Sequence, residues 1–97
     1  MQKELVHEPD ARRYVLRIDG TIASVLDYRV LGDAVAFTRT FTNPSYRGSG
    51  LAGEVVRFAV DDVEANSQHR IVPSCWYVDE WFDRHPERRA LLDPRLE

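Results

Sequence analysis

From Arg12 onward the hydrophobic and polar positions fall into three stretches that read as strands and then one of helical period. Tyr14, Leu16 and Ile18 alternate with Val15, Arg17 and Asp19, and Asp19-Gly20 then offers a two-residue turn. Ile22 to Tyr28 resumes with Ala23, Val25 and other strand formers, so the pair reads as a β-hairpin. Leu31-Gly32-Asp33 makes a second turn. The stretch Ala34 to Phe41 supplies a third strand, its alternation predicting Val35, Phe37, Arg39 and Phe41 on one side. Beyond Pro44 the period changes to that of a helix: Leu51, Val55, Phe58, Ala59, Asp62 and Val63 recur at helical spacing, and only Asp62 among them is polar. A helix is expected from about Ser49 to Ala65, ending near Asn66-Ser67, with Arg57 and Asp61 as a solvated pair four residues apart.

Ile71-Val72-Pro73 reads as a fourth strand that closes a β-α-β crossover with the third. Trp76 to Asp83 looks helical, Pro86 interrupts it, and Pro86 to Leu92 is expected to add a final turn or two. Residues 1–11 are polar, contain Pro9 and read as a loosely ordered lead-in. The pattern predicts an α+β domain: a mixed, mostly antiparallel sheet of about four strands in the order β-β-β-α-β-α, with one long helix packed on it.

Composition narrows this little. Ninety-seven residues suit one domain, 1–97, with a single core, and the terminal Leu96-Glu97 reads as a possible tag remnant. Lys and Arg number 13 against 16 Asp and Glu, a net charge of −3 that gives no general attraction to nucleic acid or to an anionic membrane. No apolar run approaches the ~20 residues of a membrane span and no signal-peptide core opens the chain, so the expected compartment is the cytoplasm. The single cysteine, Cys75, excludes an internal disulfide, and His7, His69 and His85 are scattered without metal-site spacing.

The stretch most suggestive of chemistry is Asn43 to Ala52. Here the chain leaves a strand, runs through Gly48-Ser49-Gly50 and starts its long helix. A helix start leaves N–H groups without intrahelical partners and carries partial positive charge, and glycine lets an anion approach the backbone. This is the make-up of a phosphate seat, although a plain strand-to-helix turn has the same composition.

Arg47-Gly48-Ser49-Gly50-Leu51-Ala52 resembles the Arg/Gln-x-x-Gly-x-Gly/Ala signature of the GNAT acetyltransferase superfamily. Downstream, Pro73-Ser74-Cys75-Trp76-Tyr77-Val78 followed by Arg84-His85-Pro86-Glu87 is similar to the Cys-x-Tyr-Val…Arg-His-Pro-Glu stretch of a small single-domain branch of that superfamily. The two motifs come in the expected order. The resemblance implies a truncated GNAT-like fold in which the third and fourth strands splay apart to admit the pantetheine arm of acetyl-CoA. It implies that backbone groups of Thr40, Phe41 and Thr42 bond that arm, and that Arg47, Gly48, Ser49, Gly50, Leu51 and Ala52 hold the pyrophosphate. It further implies an N-acyltransferase that moves an acetyl group to an unidentified amine, directly or through Cys75, with Tyr77 as the acid for the departing thiolate. The branch commonly has His-Thr where this chain has Arg39-Thr40, and a guanidinium cannot serve as a base.

Each of these residues has a plainer reading. Cys75 can be a small buried apolar residue, Tyr77 an aromatic packed beside Trp76 or Trp81, and Glu80 and Glu87 solvated surface. His85 is a conceivable base or an orienting group before Pro86. Arg47 can neutralise phosphate or pair with an acid, and Arg39 can reach the cleft mouth or sit in a cross-strand pair. Two other functions stay open: a catalytically silent CoA-binding sensor or adaptor, and an interaction protein built on Trp76, Tyr77, Trp81 and Phe82. The acceptor amine and the oligomeric state are not encoded in any motif.

Overall fold

The computed structural model describes residues 2–94, so the expectation for the terminal Leu96-Glu97 lies outside the described residues. Five strands form one sheet in sequence order: β1 (Lys3–Glu8), β2 (Arg13–Ile18), β3 (Thr21–Leu31), β4 (Ala34–Thr42) and β5 (Arg70–Pro73). The first four are antiparallel neighbours, and β5 joins β4 in parallel after the crossover through α1 (Leu51–Asn66). A second helix, α2 (Trp76–Arg84), and a 3-10 segment, Pro86–Leu91, complete the described fold. The architecture is thus the expected α+β sheet, with five strands where the pattern predicted about four.

The additional strand corrects the reading of residues 1–11 as a lead-in. Lys3 to Glu8 pairs residue for residue with Ile18 to Arg13. Its charged residues hid it, because an edge strand presents one side to solvent and its pairing is nonlocal. Glu8 accepts from Arg13 Nε at 2.6 Å and from Arg17 Nη2 at 3.0 Å, and the two arginines flank Val15 along β2. Val15 is fully buried although it lies outside the main core cluster. It lies on the side of the sheet opposite the helices, between its cross-strand neighbours Val6 and Val25, with the Glu8 bridge on the same side.

The main core lies on the other face. Tyr14, Leu16 and Leu26 from the sheet meet Val55, Val56, Ala59, Val60 and Val63 of α1 and Val78, Trp81 and Phe82 of α2. A one-residue irregularity in β4 decides what shares this face. Asp27 pairs with Arg39 while Tyr28 pairs with Phe37, leaving Thr38 as an extra residue, a β-bulge that reverses the alternation beyond it. Val35 and Phe37 are buried in the core, whereas Arg39 and Phe41 turn to the opposite face and are exposed. The four residues expected on one side are therefore divided two and two. Thr40 and Thr42 take the helix-side face, beside Leu26 and Ser24.

Candidate active site

The parallel β4–β5 ladder runs from Ala34–Arg70 to Phe37–Pro73 and stops there, closed by Cys75 N–H donating to Phe37 O at 3.0 Å. β4 continues through Thr42 without β5 beside it. Asn43 N–H donates to Ala23 O at 2.8 Å, which sets the phase of the antiparallel ladder: Arg39 and Phe41 bond toward β3, and the main-chain groups of Thr40 and Thr42 point to the side that β5 has vacated. The sheet thus opens between β4 and the start of α2.

Cys75 stands at the apex of this opening, just before the first turn of α2. Burial pushes its thiol pKa up. The N–H of Val78, the hydroxyl of Thr40 and the N–H groups of Tyr77 and Thr40 together pull it down further, and the net shift is downward. Thr40 Oγ1 lies 3.7 Å from the sulfur. The bulge at Thr38 makes this contact possible, because an unbroken alternation would aim the Thr40 side chain at the other face. Thr40 was expected to serve a ligand through its backbone; its N–H is directed at the sulfur instead, and its carbonyl faces the gap.

Beyond Thr42 the chain turns through Pro44–Tyr46, with the Asn43 side chain accepting from Ser45 N–H at 3.0 Å. Gly48 (φ +85°) and Gly50 (φ +73°) both adopt left-handed backbone, conformations that L side chains rarely take. Gly50 caps α1 without a side-chain hydrogen bond, and the first helical bond runs from Glu54 N–H to Gly50 O. The N–H groups of Leu51, Ala52 and Gly53 are consequently left without intrahelical acceptors. Leu51 and Ala52 border a cavity of about 210 Å³ lined also by Thr42, Tyr46, Arg47, Gly48, Gly50 and Tyr77. The expected helix start near Ser49 is thereby moved to Leu51. Arg47 has no ion-pair partner among the described residues.

Tyr77 joins this cavity to a second, of about 320 Å³, between α1 and α2. A Cβ added at Gly53 would stand 3.5 Å from the Tyr77 hydroxyl, an ordinary contact distance, so the phenol packs closely against α1 at this position. Burial pushes the Tyr77 pKa up, Arg84 lowers it less and Glu80 raises it, so the phenol holds its proton. Gly53 carried no sequence signal of its own: inside a helical pattern it reads only as a weak position. Trp76, beside Tyr77, is 74% exposed, whereas Trp81 and Phe82 are buried in the core.

The remaining candidates separate from the gap. His85 ends α2, its ring stacked on Trp81 at 4.0 Å, and its Nδ1 donates to Trp81 O at 2.7 Å. Glu80 pairs with Arg84 on the surface, Glu87 is exposed, and Arg39 pairs with Asp27 at 3.2 Å and lies over the Phe41 ring. Arg57 and Asp61 do not pair as expected. Arg57 reaches His85, and Asp61 accepts from Arg88 at 3.0 Å. Among the described residues, no cluster of His, Cys, Asp or Glu could hold a metal ion, and no helix is long and apolar enough to cross a membrane.

A family model described as GCN5-related N-acetyl-transferase matches residues 13–91, most of the chain. The chain belongs to the GNAT family. The GNAT fold is also found in solved structures. The ribosomal-protein-S18-alanine N-acetyltransferase from Escherichia coli superposes with a TM-score of 0.62 at 16% identity, covering 75% of this chain. The ribosomal-protein-alanine N-acetyltransferase from Brucella melitensis biovar Abortus 2308 gives 0.59 at 17% identity, again over 75% of this chain. This chain spans 50% of the first of those proteins and 61% of the second, so the likeness is one of fold. No curated protein matches it.

Proposed function

We propose that the chain is a single acetyl-CoA-binding domain, cytoplasmic, that transfers an acetyl group to an amine. The observation that carries this reading is the juxtaposition at the end of β4. A strand with outward-facing main-chain groups, with a tuned cysteine against its open edge, runs into a left-handed glycine turn whose bare helix N–H groups border a cavity. In this reading the N–H groups from Gly48 to Gly53, with Ser49, and the guanidinium of Arg47 hold the pyrophosphate. The carbonyl of Thr40 and the main-chain groups of Thr42, with Phe41 fixing the strand between them, bond the pantetheine amides. Bound acetyl-CoA supplies an acetyl group activated as a thioester.

Two routes use these residues. In the first, the Cys75 thiolate attacks the thioester carbon, the CoA sulfur departs and takes a proton from the Tyr77 hydroxyl, and the acetyl group rests on Sγ. A neutral amine then attacks that carbon, Sγ leaves as the thiolate, and a proton from the ammonium nitrogen restores the phenol. In the second, a neutral amine attacks the bound thioester directly, Tyr77 again protonates the leaving sulfur, and the proton lost by the acylated nitrogen restores the phenol. The lowered Cys75 pKa favours the first route.

Intact-mass analysis after incubation with acetyl-CoA tests the cysteine route: a gain of one acetyl group is expected, and it should disappear in Cys75→Ala. Amide shifts in a titration with acetyl-CoA should concentrate on Thr40, Thr42 and the Arg47–Ala52 turn. Unmoved spectra at saturating coenzyme would remove the reading. A second reading, a CoA-binding module that performs no transfer, is favoured by Arg39 in the histidine position; binding without adduct or thiol release in the presence of varied amines would select it.

A further inference from the structure

The cavity between the helices holds a cation that nothing in the acetyl-transfer chemistry uses. Its floor is one stripe of α1, Gly50, Gly53, Glu54 and Arg57, and its other wall is Tyr77, Glu80, Trp81, Arg84 and His85 of α2 and its cap. The two carboxylates are already matched: Glu54 by Lys3 at 3.1 Å and Glu80 by Arg84. Arg57 alone among these cations makes no ion pair with a carboxylate among the described residues.

Its one side-chain partner is neutral and orients it. Trp81 O can only accept, so His85 Nδ1 carries the proton, and Nε2 is then the acceptor for Arg57 Nη2 at 3.3 Å. The histidine ring is itself fixed by stacking on Trp81, which is buried. The guanidinium is thus held at the groove through a chain that ends in the core, outside any ion pair among the described residues. Such a cation is a recognition point for a phosphate.

The groove communicates with the glycine turn, since Gly50 and Tyr77 line both cavities. Arg57 lies seven residues along α1 from Gly50, about 10 Å. The two unmatched cations, Arg47 and Arg57, therefore stand at the two ends of a continuous recess. A diphosphate alone would engage one of them. Coenzyme A carries a second anionic centre, the phosphate on its ribose 3′ oxygen, one sugar away from the diphosphate.

Resting on the coenzyme reading above, we infer that Arg57, positioned by His85, binds the ribose 3′-phosphate of coenzyme A and makes this domain select the coenzyme over its 3′-dephospho form. Calorimetric titration of the wild-type protein, Arg57→Gln and Arg57→Lys with coenzyme A and with 3′-dephospho-coenzyme A tests it. The wild type should bind coenzyme A about tenfold more tightly than the dephospho form. Arg57→Gln should bind both equally, at the affinity the wild type shows for the dephospho form, and Arg57→Lys should keep part of the preference. Equal affinities in the wild type, or a preference that persists in Arg57→Gln, would overturn the inference and leave the coenzyme reading standing. Failure of the folded wild type to bind either compound would remove both.

Discussion

The two ends of α1 are built on opposite plans. At the carboxyl end nearly every polar group is engaged. Asp62 accepts from Tyr14 Oη at 2.7 Å and from Asn66 Nδ2 at 2.8 Å, and lies 3.5 Å from His7 Nδ1. His7 is stacked on Tyr14 and lies 2.8 Å from Tyr28 Oη, while Ser67 returns both its N–H and its hydroxyl to Val63 O. Burial first, and then Asp62, pushes the Tyr14 pKa up, so that end is a closed network tying β1, β2 and β3 to the helix. Toward the amino end the cap has no side chain to offer, three N–H groups lack helical acceptors, and Arg47 and Arg57 make no ion pair among the described residues. The same helix spends its hydrogen-bonding capacity on stability at one end and withholds it for a ligand at the other.

Breaking the closed end should cost the most. Asp62→Leu strands the buried Tyr14 hydroxyl and frees Asn66 and His7, for an expected loss of about 2 kcal/mol. In a domain of this size that lowers Tm by roughly 10 °C. Thermal unfolding followed by circular dichroism reads it, and coenzyme affinity of the folded fraction should not change. Impaired binding at low temperature would mean that the two ends are coupled.

Gly50→Val tests the open end. A β-branched residue forced to φ +73° costs about 1–2 kcal/mol. The loss should appear chiefly as coenzyme affinity weakened at least tenfold, because relief of the strain moves the N–H groups of the turn. A melt lowered by the full amount with affinity intact would make the turn structural only.

Smaller effects follow from the sulfur and from the ionic bridge. The rate of Cys75 alkylation against pH should show a midpoint below that of an ordinary thiol, and Thr40→Val should raise it by removing one donor. An unchanged midpoint in that variant would detach Thr40 from the sulfur. Glu8 is held below its ordinary value first by its hydrogen bond to Arg13 and then by that to Arg17. A carboxylate with a depressed folded pKa contributes stability above its unfolded value and loses it as pH falls through the folded one. Stability should therefore decline in mild acid below about pH 4.5, the ordinary value of the group, and Glu8→Gln should flatten that part of the profile.

Local pattern carried the hairpin, the crossover, the long helix and the glycine turn, because each is written in residues close together in the chain. It missed what depends on distant partners. β1 exists because Glu8 and His7 meet residues of β2 and β3, and Arg57 turned from Asp61 to a histidine 28 positions later. The Thr38 bulge was equally hidden: Ala34 to Thr42 is a regular strand by propensity, and only its register against β3 exposes the extra residue. For the same reason the sequence could propose Cys75 and Thr40 as site residues but not that one would solvate the other.

That bulge makes the chemistry of β4 a matter of counting. Many side chains could stand at position 38 and keep the frame, but removing the position would rotate every later residue of the strand by half a pleat. Arg39 and Phe41 would then be driven under the helices and Thr40 carried away from the thiol. A substitution here would be absorbed, whereas a codon deletion would turn the reactive edge of the sheet inside out.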